Sequence, residues 1–176
     1  MAGLRKMLGR ADDDYIIALM RLIETQSKET IVTWCLNYAK MNILPIYNKH
    51  IPDDDRPLKA INAANDYLKG SVKFTEVKDI ILNQCHQAAR ELDDNPAAQA
   101  AARTIGQAAS SIHTVTHALG LAFYGSAAIA YDRVGLNESQ AVYAKIAREE
   151  CEKMYASLKA VSVENEVNPV KVKWYC

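Results

Sequence analysis

Two histidines, His113 and His117, are the residues whose type and spacing come nearest to a metal site in this sequence. Positions i and i+4 lie on one face of a helix, which is how a helix presents two imidazoles to one ion. A zinc site needs at least one further protein ligand, and His86 is the candidate. A small metal-dependent enzyme built on these three histidines is therefore one hypothesis.

The residues around the histidine pair favour a structural role. The sequence contains no H-E-x-x-H and no Glu three residues before a His, so the zincin and di-iron carboxylate patterns are both absent. Small and apolar residues dominate the segment SSIHTVTHALGLAFYG, residues 110–125. We expect His113 and His117 to be largely buried on a helix among Ala-rich neighbours, with hydrogen-bonded rings and no metal.

Acidic residues just before predicted helices form the second candidate site. Carboxylates at a helix N-terminus satisfy free N–H groups and the helix dipole, and Asp55 and Arg56 are expected to serve a helix start in this way. Three consecutive aspartates exceed what one cap requires. We therefore expect Asp53 and Asp54 to be exposed and available to a basic partner. Two further acidic clusters could extend this partner-binding surface: Asp93 with Asp94, and the aspartates at 12–14.

The sequence contains no recognisable motif for catalysis or for cofactor binding. The sequence shows no Ser–His–Asp or Cys–His constellation. Gly120 and Gly125 have the spacing of a phosphate-binding loop but lack the Lys-Ser/Thr that must follow it. We expect no catalytic residue and no cofactor.

Composition argues against several classes of function. Lys and Arg total 21, Asp and Glu total 21, and the net charge is zero, so nothing indicates a nucleic-acid partner. No apolar run approaches the roughly 20 residues of a membrane span. Residues 1–15 have no apolar stretch before their charges, unlike a signal peptide. We expect a cytoplasmic protein whose four cysteines are reduced. Three of them, Cys35, Cys85 and Cys151, are expected to be buried on different helices without disulfides, and the fourth is Cys176.

Helical periodicity covers the first half of the chain. One helix follows the aspartates at 12–14, and a second opens at Ser27 and is ended or kinked by Pro45. A third has Pro57 in its first turn and stops at Gly70, which can adopt a left-handed backbone.

The second half continues this pattern. Residues 74–92 carry an unbroken apolar stripe, and Asn95 with the following proline begins an Ala-rich helix. A break is expected between residues 111 and 116 because Ser, Thr and β-branched residues cluster there. The last helix is expected to start at Asn137, which forms a capping-box pattern with Gln140.

These elements predict an all-α fold, a single-domain bundle of six or seven helices over residues 1–160. Residues 161–176 alternate like a strand but have no partner strand, so we expect an extended C-terminal tail held by Trp174. No internal repeat or linker divides the chain.

Two segments together resemble the immunity protein family of bacterial polymorphic toxin systems. The first, WCLNYAKMNILPIYNKHIPDDDRPLKAINAA, has a Trp/Cys helix ending in Leu-Pro, then a D-D-x-R-P-x-x-A-I-x-A-A turn and helix. The second, AAQAAARTIGQAASSIHTVTHALGLAFYG, has the Ala-rich pattern with two histidines. The resemblance covers about residues 30–130 and not the flanking helices. The matching residues include Trp34, Asp55, Arg56, Pro57, Gly106, His113, His117, Gly120 and Tyr124.

The resemblance implies an all-helical, non-catalytic protein that binds and neutralises a cognate toxin made by the same or a neighbouring cell. If that toxin is a nuclease, its site is basic, and the aspartates at 12–14 and 53–55, with Asp93 and Asp94, would complement it. The rival hypotheses are the metal-dependent enzyme described above and a helical scaffold that oligomerises through its Ala-rich faces.

Overall fold

Seven helices contain most of the residues that the computed structural model describes, 4–175, and this part of the chain has no strand. The predicted all-α bundle of six or seven helices is confirmed. None of the helices in this range is both long and apolar enough to span a membrane. In chain order they are α1 (Asp14–Glu24), α2 (28–50), α3 (Arg56–Leu68), α4 (74–90), α5 (Pro96–Ser110), α6 (115–134) and α7 (Gln140–Val161).

Some helix boundaries follow the expected capping chemistry and others do not; Asp13, directly before α1, makes no side-chain capping bond. The side chains of Ser27 and Asn95 each accept a backbone N–H from three residues on. Gly70 has φ +74°, as a left-handed stop requires. The predicted start of α7 at Asn137 is wrong, because Ser139 is the cap and accepts the N–H three residues later.

Three helices contain a π-helical turn, and all three turns pack against α5. The turn in α2, Ala39–Ile43, comes just before Pro45, and the α-helix resumes over Leu44–His50. Proline lacks an N–H and its ring clashes with the carbonyl four residues earlier, so an ordinary helical turn could not continue here. The wider turn lets α2 continue past the proline.

Helix α5 lies at the centre of the bundle. Eleven of its 15 residues are buried, and it packs against α2, α3, α4 and α6. Alanines and Gly106 make up most of its surface, so the surrounding helices can approach its backbone closely. A helix covered on nearly all sides positions the loops at both of its ends.

Three cysteines are free and buried on three different helices, as predicted: Cys35 on α2, Cys85 on α4 and Cys151 on α7. Burial raises the pKa of each thiol to about 12. These thiols therefore stay protonated and act as small apolar side chains. Cys176, expected to be reduced like the others, lies outside the described residues.

The tail after α7 is extended and runs back across the end of α1. The indole N–H of Trp174 donates to the Glu24 carboxylate at 2.7 Å, so the predicted anchoring by Trp174 is confirmed. Gln26 is a second anchor that the sequence did not reveal. The buried side-chain amide of Gln26 donates to the Val163 carbonyl and accepts the Val163 N–H. The backbone carbonyl of Gln26 accepts the Val170 N–H at 2.9 Å.

Candidate functional site

The turn between α2 and α3 is built around the carboxylate of Asp54. Its Oδ1 accepts the backbone N–H of Arg56 at 3.0 Å, and its Oδ2 accepts the Arg56 Nη2 at 2.6 Å and the Tyr47 hydroxyl at 2.7 Å. Partial burial would raise the pKa of Asp54, but the bonds from Arg56 and Tyr47 outweigh it and lower the pKa to about 2. Asp54 is therefore an ion that ties the start of α3 to α2.

The expectation that Asp54 is exposed and Asp55 serves the helix start is wrong. The Asp54 side chain is 14% exposed, whereas that of Asp55 is 64% exposed. Asp55 makes no capping hydrogen bond and pairs with Lys59 at 3.0 Å along the outer face of α3. Asp54 takes the structural role expected of Asp55 because, from two residues before Arg56, its carboxylate reaches both the backbone N–H and the guanidinium of Arg56.

The loops 51–55 and 91–95 meet at one end of the bundle. The guanidinium of Arg56 donates to Glu91 at 2.8 Å as well as to the first loop, so one side chain joins both. His50, at the end of α2, has Nε2 2.8 Å from the Asp132 carboxylate of α6 and Nδ1 3.4 Å from the Asn95 amide nitrogen. We call four exposed aspartates at this end the acidic edge: Asp53, Asp55, Asp93 and Asp94.

Two carboxylates of the acidic edge are free for a partner. Asp93 accepts the buried Gln99 amide at 2.8 Å, which fixes the 91–95 loop against α5. Asp53 and Asp94 make no side-chain hydrogen bond or ion pair with any residue in the described part of the chain. A basic partner could bind these two without displacing an internal contact.

The third predicted acidic cluster, the aspartates at 12–14, is engaged internally. A partner would have to compete with bonds that these carboxylates already make. They are Asp12 with Arg10 at 2.9 Å, Asp13 with the Tyr15 hydroxyl at 2.7 Å, and Asp14 with Arg148 at 2.7 Å.

The prediction that both histidines of the 110–125 segment are buried on one helix is wrong. Helix α5 ends at Ser110, and His113 is exposed in the turn that follows. His117 is half-buried in the 3-10 turn Val115–Leu119 that opens α6. The expected break at residues 111–116 is confirmed, and it removes the helical i, i+4 geometry on which the pairing of the two rings depended.

The histidine region consists of His86, His113 and His117 with their contacts. The His113 ring stacks on Phe74 with centroids 5.2 Å apart and planes 18° apart. Together with His117 and Lys78, these rings line a cleft of about 190 Å³ at the end of α5 away from the acidic edge.

Two glycines of the family-like motif make close contacts in this region. A Cβ on Gly106 would lie 2.5 Å from Cε1 of His86, and one on Gly120 would overlap the Gln107 side chain. Gln107 in turn contacts Nδ1 of His117 at 2.7 Å. Burial lowers the pKa of His86 and of His117, and neighbouring positive groups lower both further. Both rings are therefore neutral at pH 7.

The histidine trio does not assemble into a ligand set. Among the described residues, no three His, Cys, Asp or Glu side chains lie close enough together to hold a metal ion. His86 faces Gly106 rather than the cleft lined by His113 and His117. The geometry gives the metal-dependent enzyme no site among these side chains.

Three remaining motif residues have clear positions. The Trp34 indole N–H donates to Ser157 at 2.7 Å and joins α2 to α7. Pro57 is buried in the first turn of α3. Tyr124 is half-buried on α6, beside a second cleft of about 460 Å³.

The fold and these sites define an all-α protein with a charged loop edge. The family model of the Imm-5 like putative immunity protein matches residues 21–157. The chain belongs to this family. The match is longer than the resemblance over residues 30–130 and takes in the end of α1 and most of α7. No curated protein and no solved structure matches the chain.

The sequence analysis missed two residues that hold the acidic edge together. Tyr47 precedes its partner Asp54 by seven residues, and Glu91 follows its partner Arg56 by 35 residues. Tyr47 could have been noticed as a buried-face tyrosine whose hydroxyl needs a partner. Glu91 is exposed, and only the packing of α4 beside the α2–α3 turn brings it into place.

Proposed function

We propose that this protein neutralises a bacterial toxin by binding it, with no catalytic step of its own. Membership in the immunity protein family is the observation that carries the proposal. Covering the toxin's active site or blocking its substrate path would suffice, and either requires a preformed surface of about 800 Å² per partner.

We infer further that the acidic edge contacts a basic surface of the toxin. Four exposed aspartates lie at one end of the bundle, and Asp53 and Asp94 have no internal partner within the described chain. A toxin that acts on nucleic acid carries a basic site, and opposite charges speed association and fix the orientation of the complex.

The network beneath the edge supports this inference. Asp54, Arg56 and Glu91 hold the two loops together before any partner arrives. A surface that is already ordered loses little conformational entropy on binding, so more of its interaction energy is available for affinity.

The test uses a toxin encoded beside the gene for this chain, expressed in a susceptible bacterium. Co-expression of the chain is expected to restore growth, and the purified proteins are expected to form a stable complex. If the toxin kills equally well with and without the chain, and no complex forms, the proposed neutralisation is wrong.

The contribution of the acidic edge is tested with the double variant D53N/D94N. We expect it to bind the toxin about ten-fold more weakly at low salt, as loss of two complementary charges predicts. The control is E29Q/E76Q, which removes two exposed carboxylates at the starts of α2 and α4. Equal affinity in the two double variants would contradict the acidic edge as the contact while leaving neutralisation itself standing.

A further inference from the structure

A cleft of about 460 Å³ lies where the N-terminal segment 4–11, α6 and the C-terminal tail meet. The N–H of Leu8 donates to the Phe123 carbonyl at 3.1 Å, which holds the N-terminal segment against α6. We call this the aromatic cleft, after four of the side chains that line it: Phe123, Tyr124, Trp174 and Tyr175.

The floor and the walls of the aromatic cleft come from different parts of the chain. The floor is formed by α5 and α6, including Gly120 and Tyr124, inside the region 21–157 that the family model matches. The walls are Met7 to Ala11 on one side and Trp174 with Tyr175 on the other, all outside that region. A shared floor with walls particular to this chain is the arrangement expected of a site that selects among related partners.

The segments that form the walls are basic. Residues 4–11 contain Arg5, Lys6 and Arg10, residues 167–175 contain Lys171 and Lys173, and neither segment contains an acidic residue. Arg10 pairs with Asp12, and Arg5 and Lys6 line a different cleft together with Asp93. Lys171 and Lys173 make no ion pair within the described chain. In the extended tail, Lys171, Lys173 and Tyr175 are exposed, whereas Val172 and Trp174 between them pack toward the core.

The acidic groups nearest to the cleft are already engaged. Asp12 pairs with Arg10, and Asp13 accepts the Arg10 N–H and the Tyr15 hydroxyl. Glu24 pairs with Arg21 and accepts the Trp174 indole N–H. The charge that remains available around the cleft is therefore positive.

We propose that the aromatic cleft binds an acidic peptide segment of a partner protein, with an aromatic or other large apolar side chain of that segment seated among its rings. Interface cores are enriched in Trp, Tyr, Phe and Met, which this cleft combines with two exposed lysines of the tail that forms one wall, Lys171 and Lys173. Large apolar anchors that fill such pockets dominate binding energies. The site is separate from the acidic edge and does not depend on it.

A peptide fits these features better than single-stranded nucleic acid does. Stacking of successive bases needs exposed rings along a continuous basic groove. Here Phe123, Tyr124 and Trp174 are half-buried, and three carboxylates at 12, 13 and 24 adjoin the cleft. A polyanion would meet those carboxylates along its length, whereas a short acidic segment can avoid them.

The test measures binding of four fluorescein-labelled peptides of equal length to the intact protein by anisotropy. The peptides are acidic with one Phe, acidic without an aromatic residue, neutral with one Phe, and basic with one Phe. The first is expected to bind most tightly, and to bind more weakly as salt rises. Equal binding of all four, or no binding of the first, would overturn the proposal.

Variants locate the binding. K171E/K173E is expected to weaken binding of the acidic Phe peptide roughly five-fold or more. The matched reversal K40E/K73E, at exposed lysines on α2 and directly before α4, is expected to leave it unchanged. Tyr124→Ala is expected to weaken it as well, and Met7→Asp, at a side chain 46% exposed, is the substitute if Tyr124→Ala does not fold. Equal loss of binding in both lysine reversals would show that the peptide does not bind at the aromatic cleft. If an oligothymidylate binds more tightly than the acidic Phe peptide, the cleft is a nucleic-acid site instead.

Discussion

The acidic edge and the histidine region are held together by different forces. At the acidic edge, Asp54, Arg56 and Glu91 link two loops through short charged contacts. In the histidine region, His86 lies against Gly106, with no room for a larger side chain between them. Charged links fail when one partner is removed or protonated, whereas close packing fails when a side chain changes volume. The two regions should therefore respond to different perturbations.

The largest effect is expected from Asp54→Asn. The substitution leaves Arg56 and Tyr47 without their anionic acceptor in a partly buried turn. We expect the free energy of unfolding to fall by about 2–3 kcal/mol at pH 7. Urea unfolding measures this loss. Asp53→Asn, at the exposed neighbouring carboxylate, is the control, and an equal loss in both variants would show that the Asp54 network is not what stabilises the turn.

Acid should remove the same contribution. The folded-state pKa of Asp54 is about 2, below its usual value, so its stabilisation is complete above pH of about 4 and is lost as pH falls toward 2. The wild type should lose about 2 kcal/mol more than Asp54→Asn across this window. Parallel pH profiles for the two proteins would contradict the assigned pKa.

In the histidine region, Gly106→Ala should destabilise the protein by about 1–3 kcal/mol, although alanine is the better helix former. The added Cβ would lie 2.5 Å from the His86 ring. The double variant H86A/G106A should recover part of the loss, since the clash disappears with the ring. Thermal unfolding of the single and double variants measures this coupling, and strictly additive effects would show that the ring and the glycine are independent.

A smaller loss of stability at higher pH distinguishes the histidine region from the acidic edge. The folded-state pKa values of His86 and His117 lie below the usual value near 6.5, so stability is complete above that pH and falls as pH drops below it. The melting temperature should therefore begin to fall between pH 6.5 and 5, before Asp54 titrates. The variant H86Q/H117Q should lose this early decline and keep the later one.

Local rules accounted for the helices because they depend on neighbours in sequence. Ser27, Asn95 and Pro57 act within one turn of their positions, and the sequence therefore predicted where α2, α5 and α3 begin. The same rules favoured Asp55 over Asp54 as the residue that serves the start of α3. They could not reveal that the guanidinium of Arg56 folds back onto Asp54, two residues earlier.

Longer-range contacts could not be predicted in this way. His113 and His117 have helical spacing, yet the chain turns between them, and the expected break at residues 111–116 already conflicted with a shared helix. The aromatic cleft joins Met7 to Trp174 across nearly the full chain. Only the packing of α1, α6 and the tail brings these side chains and their basic neighbours together.

The smallest stability effect is expected at the acidic edge itself. D53N/D94N should change the free energy of unfolding by less than about 0.5 kcal/mol, because neither carboxylate has an internal partner in the described chain. Urea unfolding beside the wild type checks this. A loss near that of Asp54→Asn would mean that these two charges are structural.

If the acidic edge meets a basic toxin surface, its charges should speed association, and the rate of association tests this contact most directly. Stopped-flow mixing of the toxin with wild type, D53N/D94N and E29Q/E76Q should show slower association at low salt for D53N/D94N alone. The difference should shrink as salt screens the charges. Equal association rates for all three proteins at every salt concentration would contradict the proposed contact between the acidic edge and the toxin.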